Sequence, residues 1–404
     1  MIGPHHRFVQ PGGRTVGVLG APVIETSAGP WSDPKRYLWL LGVVMPLLPF
    51  MAAGLVALTG LGIFWWWGAI FAFIIMPILD ITIGRDTSNP PEEAAAALDQ
   101  DKYYRWCTYM FIPLQYIALV YACYLWAGSA LSVSDKIGLA ATMGVVAGVA
   151  INAAHELGHK RDQLERRLSK IALAQTAYGH FYVEHNRGHH VRVATPDDPA
   201  SSRFGESFWS YWPRTVFGSV GSAWGMEARR FAKRGTTKWS WRNDVLTAWS
   251  LTIVLWLALI FVFGIGVLPY LVLQALVGIT LLEAVNYLEH YGLLRQARGD
   301  RFVRVTPEHS WNSNNTVSNL MLYHLQRHSD HHANPARRYQ SLRHMDEAPQ
   351  LPSGYAAMIV LSTVPGAWRK VMDPKLVAHY DGDMTLANIA PRKREKVLAK
   401  YAKA

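Results

Sequence analysis

The chain has 404 residues, half of them hydrophobic, and its 40 Lys and Arg against 29 Asp and Glu give a formal net charge of +11. Its two cysteines, Cys107 and Cys123, lie in or beside apolar runs with no CxxC pair, which argues against a disulfide framework, an iron–sulfur cluster or a thiolate zinc site. The apolar residues are gathered into long runs with the charges between them, so the basic balance reads as Lys and Arg kept on one side of a membrane, and no nucleic-acid partner is expected.

Residues 1–36 are polar and lack an apolar h-region, so they read as a cytoplasmic N-terminus without a signal peptide. A helix needs about 20 mostly apolar residues to cross a bilayer. Tyr37–Gly60 meets this without a charged residue, and Leu61–Gly84 follows with Asp80 near its end. Thr108–Gly128 is a third span and Ile137–Ala154 a fourth, running directly into His155. Val245–Leu282 is apolar throughout, and at 1.5 Å per residue it would reach about 57 Å, too long for one crossing. Gly264, Gly266 and Pro269 supply a turn, so it reads as a hairpin of spans five and six, the sixth continuing to His290. The stretch Ala356–Pro365 is too short to cross and is expected in the interface or against the polar domain.

Six spans put both termini on one side. The loops near Gly60, between Gly128 and Lys136 and at Gly264–Pro269 are short and nearly chargeless. The opposite side carries 85–107, an insertion at 158–244 and the tail 292–404, with most of the Lys and Arg, and the positive-inside rule makes it cytoplasmic. The expected architecture is therefore all-α. A six-helix membrane domain, 37–291, bears a cytosolic helical cap built from the insertion and from 292–404 with its basic tail.

Nine histidines fall on that side in four clusters: His155 and His159; His185, His189 and His190; His290; and His328, His331 and His332. Imidazole is the commonest protein metal ligand. Residues four apart share a helix face, so His155 with His159, His185 with His189, and His328 with His331 or His332 can each grip one ion. Adjacent residues point about 100° apart, so one member of His189-His190 and of His331-His332 can face a second ion. A structural zinc site is filled by four ligands, so nine donors suit a pair of metals with open positions. His180, His309, His324 and His344 lack such spacing and read as hydrogen-bonding or surface groups. Alone, His155-Glu156-x-x-His159 is also the HExxH pattern of zinc proteases, a reading that leaves the other clusters idle. A metal transporter would string its histidines along a transmembrane path, and here they collect at one end.

The blocks HELGHK (155–160), EHNRGHH (184–190), NYLEHYGL (286–293) and LQRHSDHH (325–332) resemble the four signature blocks of the membrane-bound alkane 1-monooxygenases, within the wider superfamily of membrane fatty-acid desaturases and hydroxylases. The similarity spans about residues 37–375 and shows no departure in the four blocks. It implies two non-haem irons held by the nine histidines, terminal hydroxylation of n-alkanes with O₂, and electrons from rubredoxin with its reductase. It also implies a bacterial inner-membrane location. A desaturase or hydroxylase acting on acyl lipids is the nearest alternative. Hydroxylating an unactivated C–H bond requires a redox metal, which zinc is not. The chain has no GxGxxG, CxxCH or cysteine cluster, and no CxxC pairs for a fused rubredoxin, so electrons are expected from a separate protein docking on the basic face.

Ligand histidines are usually held by carboxylates or amides, and the sequence neighbours available are Glu156, Glu184, Asn186, Glu289 and Asp330. Glu283, seven residues before His290, is an ionisable group within a span and a functional candidate. On span four, Gly144, Ala147, Gly148, Ile151 and Asn152 form a stripe of mostly small residues leading to His155. They read either as one wall of a channel for an alkyl chain or as close helix packing.

Overall fold

The computed structural model describes residues 21–128 and 130–402, with the short strands Phe8–Val9 and Thr15–Val16. Of the expected N-terminal stretch 1–36, residues 1–7, 10–14 and 17–20 lie outside the described residues. Six helices are long and apolar enough to cross a membrane: Arg36–Thr59, Gly62–Ile83, Lys102–Gly128, Val133–Gly158, Asp244–Phe263 and Ile265–His290. The chain is a multi-pass, all-helical membrane protein, and its paired strands are only two or three residues long.

The ends of the spans are set by local chemistry. Asp101 caps span three by accepting from the Tyr103 amide, so that helix begins before the apolar run, at Lys102. Ser132 and Asp135 form a reciprocal capping box that starts span four at Val133. Asn243 accepts from the amides of Val245 and Leu246 and starts span five. Gly60 ends span one at φ 72°, a left-handed turn that glycine adopts without a Cβ clash.

Span four is the axis of the bundle, buried along most of its length, while the other spans keep outward apolar faces such as Leu58 and Phe261. Its small residues admit span six. A Cβ on Gly144 would lie 2.4 Å from Val277, and one on Gly278 would lie 2.9 Å from the Ala147 side chain. Gly144 and Ala147 therefore serve helix packing.

At the histidine end, the helix Phe208–Ala232 packs across span six, and Glu283 ties the two together. This carboxylate is 2 % exposed. It accepts from the hydroxyls of Tyr178 (2.7 Å), Thr215 (3.0 Å) and Tyr211 (3.3 Å) and from the Asn286 amide (3.2 Å). The helix Tyr355–Ser362, formed by the weaker apolar stretch, packs on spans two and six.

Replacing Gly144 by Leu should destabilise the protein by about 1–3 kcal/mol through overpacking. A thermal-unfolding series in detergent checks this, and an unchanged midpoint would show that spans four and six are not in close contact there.

Candidate metal centre

Four segments bring the nine histidines together. Span four delivers His155 near its end and His159 at its cap, and span six ends on His290. A π-helical turn, Glu184–His189, carries His185 and His189 and leads into His190. The short helix His328–Ala333 carries the rest.

The ligand-competent nitrogens form two groups, each with atoms within 4.8 Å of one another: His155, His159, His185, His190 and His331; and His189, His290, His328 and His332. Adjacent histidines are split between the groups, as are His331 and His332. The pairing of His185 with His189 expected from four-residue spacing is not found. The π turn widens the repeat, so His185 meets His190 instead, Nε2 to Nε2 at 3.0 Å, while His189 meets His332 at 3.2 Å.

These rings point their Nε2 atoms at one another. The separations are 2.8 Å for His155–His331, 3.1 Å for His190–His331, 2.9 Å for His328–His332 and 3.3 Å for His290–His328. His159 Nε2 is buried with no hydrogen-bond partner. Burial first, then the charges of neighbouring rings, pushes His159, His185, His190, His328, His331 and His332 well below the ordinary histidine range. Neutral imidazoles with converging lone pairs are what a metal cation requires, so the residues present fit two ions.

The carboxylates are arranged differently from the sequence-neighbour expectation. Glu156 pairs with Lys160 at 3.0 Å and accepts from the Tyr339 amide, so the HExxH glutamate is tied up in an ion pair. Glu184 pairs with Arg192 at 2.6 Å, Asn186 donates to the Tyr182 carbonyl, and Asp330 holds Asn334, Arg337 and the Arg343 amide. Glu289 is the neighbour that reaches a ligand. Its Oε2 lies 3.2 Å from His328 Nε2 while Oε1 accepts from Tyr355 at 2.8 Å, setting an oxygen donor beside the four-histidine group.

The carboxylate that orients a ring is Asp198. It accepts from His189 Nδ1 at 2.9 Å and from Ser201 at 2.6 Å, both partners buried. Burial raises its pKa, but the His189 ring and its hydrogen bond prevail, and the carboxyl is held below its usual range. The one signal in the sequence was the acidic pair Asp197-Asp198 shortly after the histidine block. The remaining histidines have other tasks: His309 caps the turn at Thr306, and His324 Nδ1 meets the Tyr339 carbonyl at 2.9 Å.

An apolar slot ends on this centre. Met45, Ala72, Phe73, Met76, Val145 and Val149 line its outer part. Asn152, Asn286, Glu289, His155, His185 and His328 line its inner end, so rings of both groups face it. Of the span-four stripe, Gly148 and Asn152 border the slot. Gly144, Ala147 and Ile151 lie outside its lining, and Val145 and Val149 take their place.

Residues 136–362 match the fatty acid desaturase family. An alkane 1-monooxygenase of Acinetobacter baylyi is 50% identical over 376 residues, 91% of each chain. Another from Ectopseudomonas oleovorans is 44% identical over 383 residues, covering 93% of this chain and 94% of its own. The chain belongs to the alkane 1-monooxygenase family. It is an oxidoreductase enzyme of that family, and all four histidine blocks lie inside the matched region. A hydroxylase component of xylene/toluene monooxygenase from Pseudomonas putida is a more distant relative, at 26% identity over 381 residues.

Replacing Asp198 by Asn should lower metal affinity by about 10–100-fold, because the ring of His189 loses its orienting carboxylate. Competition against a chelator measures this, and wild-type affinity would remove Asp198 from the account.

Proposed function

We propose that this enzyme hydroxylates the terminal carbon of n-alkanes at two non-haem irons, one in each histidine group. The reaction is R–CH₃ + O₂ + 2e⁻ + 2H⁺ → R–CH₂OH + H₂O. The observation that carries the reading is the junction of the apolar slot with rings of both groups. The metals would supply the activation of O₂. The chain's own residues bind, orient and exclude. Imidazole ligates as a neutral donor, so nine such ligands would leave the full positive charge on the ions. The slot accepts a chain with no polar group and offers it aliphatic, Met and Phe side chains until the inner end. A primary C–H bond is stronger than a secondary one, so terminal selectivity must come from shape. A narrow slot that presents only the end of the chain supplies it. Asn152 and Asn286 add polar groups at that end, Asn152 being fixed to the Leu322 carbonyl at 2.7 Å and Asn286 to Glu283.

The electrons are proposed to come from rubredoxin, with its reductase, at the cytoplasmic face of a bacterial inner membrane. A surface cleft lined by Arg105, His159, Lys160, Arg161 and Arg338, with Asp162 and Glu165, reaches the five-histidine group. Arg338 forks onto Glu165 at 2.8 and 3.0 Å and Lys160 is paired with Glu156, which leaves Arg105 and Arg161 against Asp162 and weights the cleft towards positive charge. An acidic carrier docking there would stand next to a ligand ring.

The direct test is product analysis. The iron-loaded protein with rubredoxin, its reductase and ¹⁸O₂ should convert an n-alkane to labelled 1-alkanol. Desaturated acyl lipid instead would establish the other branch of the superfamily.

Chain-length selectivity probes the slot. Gly148 is a poor handle, since a Cβ there would press on Leu281 at 3.1 Å. Val145 borders the slot ten residues before His155, about 15 Å along the helix. Val145→Phe should keep its iron and shift a competition between alkanes towards the shorter ones; an unaltered profile would place the substrate elsewhere. With limiting rubredoxin, turnover should fall as salt rises, because attraction between surface charges is screened. A salt-independent rate would exclude electrostatic docking.

A further inference from the structure

A second set of aromatic rings is left unused by the reaction. Tyr339 donates its amide at 3.4 Å to Glu156, the residue after His155, and is so tied to the ligand-bearing turn of span four. From Tyr339, ring centroids lie 5.0 Å from Trp39, 5.2 Å from Tyr323 and 6.4 Å from Tyr104. Tyr104 is 5.5 Å from Tyr103, which is 5.8 Å from the exposed Tyr37. Each of these six rings is Tyr or Trp, the two most readily oxidised aromatic side chains. Trp39, Tyr104, Tyr323 and Tyr339 are 1–2 % exposed, so they are not members of an interfacial aromatic belt. Packing alone would be served by Phe, which has no hydroxyl to satisfy.

The outer end is built differently from the rest. The Tyr104 hydroxyl donates to Asp33 at 2.7 Å, and both residues line an open polar pocket with Arg36, Gln100 and Asp101. A phenol loses an electron readily only when its proton has an acceptor, and Asp33 is a carboxylate in place for it. Arg36 lies over the rings of Tyr103 and Tyr104, at 4.2 and 5.3 Å.

We infer that Tyr339, Trp39 and Tyr104 form an oxidation-escape path, which carries an oxidising equivalent from the histidine centre to the Asp33 pocket when no alkane is present to consume it. The inference rests on the O₂-dependent reading above. The outer step is Tyr104–OH + Asp33–CO₂⁻ → Tyr104–O• + Asp33–CO₂H + e⁻. The electron passes inward through Tyr339 and reduces the oxidised metal centre by one equivalent. A small thiol entering the pocket returns a hydrogen atom to Tyr104–O•, becoming a thiyl radical that pairs to disulfide, and Asp33 gives its proton to water.

The test uses the full-length protein in detergent, with folding of each variant checked by thermal midpoint and iron content. In the first arm the metal-free protein is flash-oxidised with ruthenium tris-bipyridine and persulfate, then frozen for EPR. The main tyrosyl signal should be lost in Tyr104→Phe and its g-anisotropy altered in Asp33→Asn. The wild-type spectrum in Tyr104→Phe overturns the proposal. In the second arm the iron-loaded, reduced protein meets O₂ without alkane. Wild type should give the same radical, and Tyr339→Phe should lose it while keeping the photo-oxidised one. Initial alkane hydroxylation should be unchanged in Tyr104→Phe, whose inactivation without alkane should be several-fold faster. Alcohol formation in the wild type with no radical in the absence of alkane overturns the path alone. A radical without any alcohol overturns the hydroxylation reading alone.

Discussion

Nine imidazoles facing one another in a buried space are the constraint on which the rest of this structure depends. Their nitrogens approach to between 2.8 and 3.3 Å with few other partners, an arrangement that leaves lone pairs opposed and uncompensated unless cations lie between them. Binding free energy at such a site is also folding free energy. The ends of spans four and six, the π turn at 184–189 and the helix at 328–333 are therefore tied by the centre as much as they build it.

The membrane helices serve this arrangement by close approach. Glycine and alanine on span four let span six lie against it, which brings His290 level with His155 and His159. Glu283 then fixes the cap to span six through three hydrogen bonds, from Tyr178, Tyr211 and Thr215, so the π turn and Asp198 arrive at the same level. The left-handed backbone at Tyr323 and His324 (φ 51° and 53°) turns the chain towards His328, and its strain is offset by the His324 bond to Tyr339 and the Tyr323 bond to the Cys107 carbonyl.

Much of this was legible in the sequence, for stated reasons. Charge-free runs of spanning length have few alternatives, so the six spans were readable to within a few residues, the caps at Asp101 and Ser132 accounting for the longer starts. The histidines were readable because their density has no bland explanation. Their grouping was not, since a π turn leaves no mark in residue spacing, and His185 therefore met His190 in place of His189. Of the orienting groups expected beside the ligands Glu289 reaches a ring and the others do not, because a helix turns about 100° per residue, so that most neighbours of a ligand face away from the ligand's own side. Glu156, Glu184 and Asp330 accordingly pair with Lys and Arg, while Asp198 comes from a separate turn. The same rotation moved the slot wall from Gly144 and Ala147 to Val145 and Val149.

The central claim is the division of the histidines into a group of five and a group of four, each proposed to hold one iron. Iron content combined with Mössbauer spectroscopy of ⁵⁷Fe-loaded protein tests it most directly. The account predicts roughly two irons per chain in two distinguishable environments, with His331→Ala depleting one and His332→Ala the other. A single zinc, or one iron environment lost equally in both variants, would contradict it.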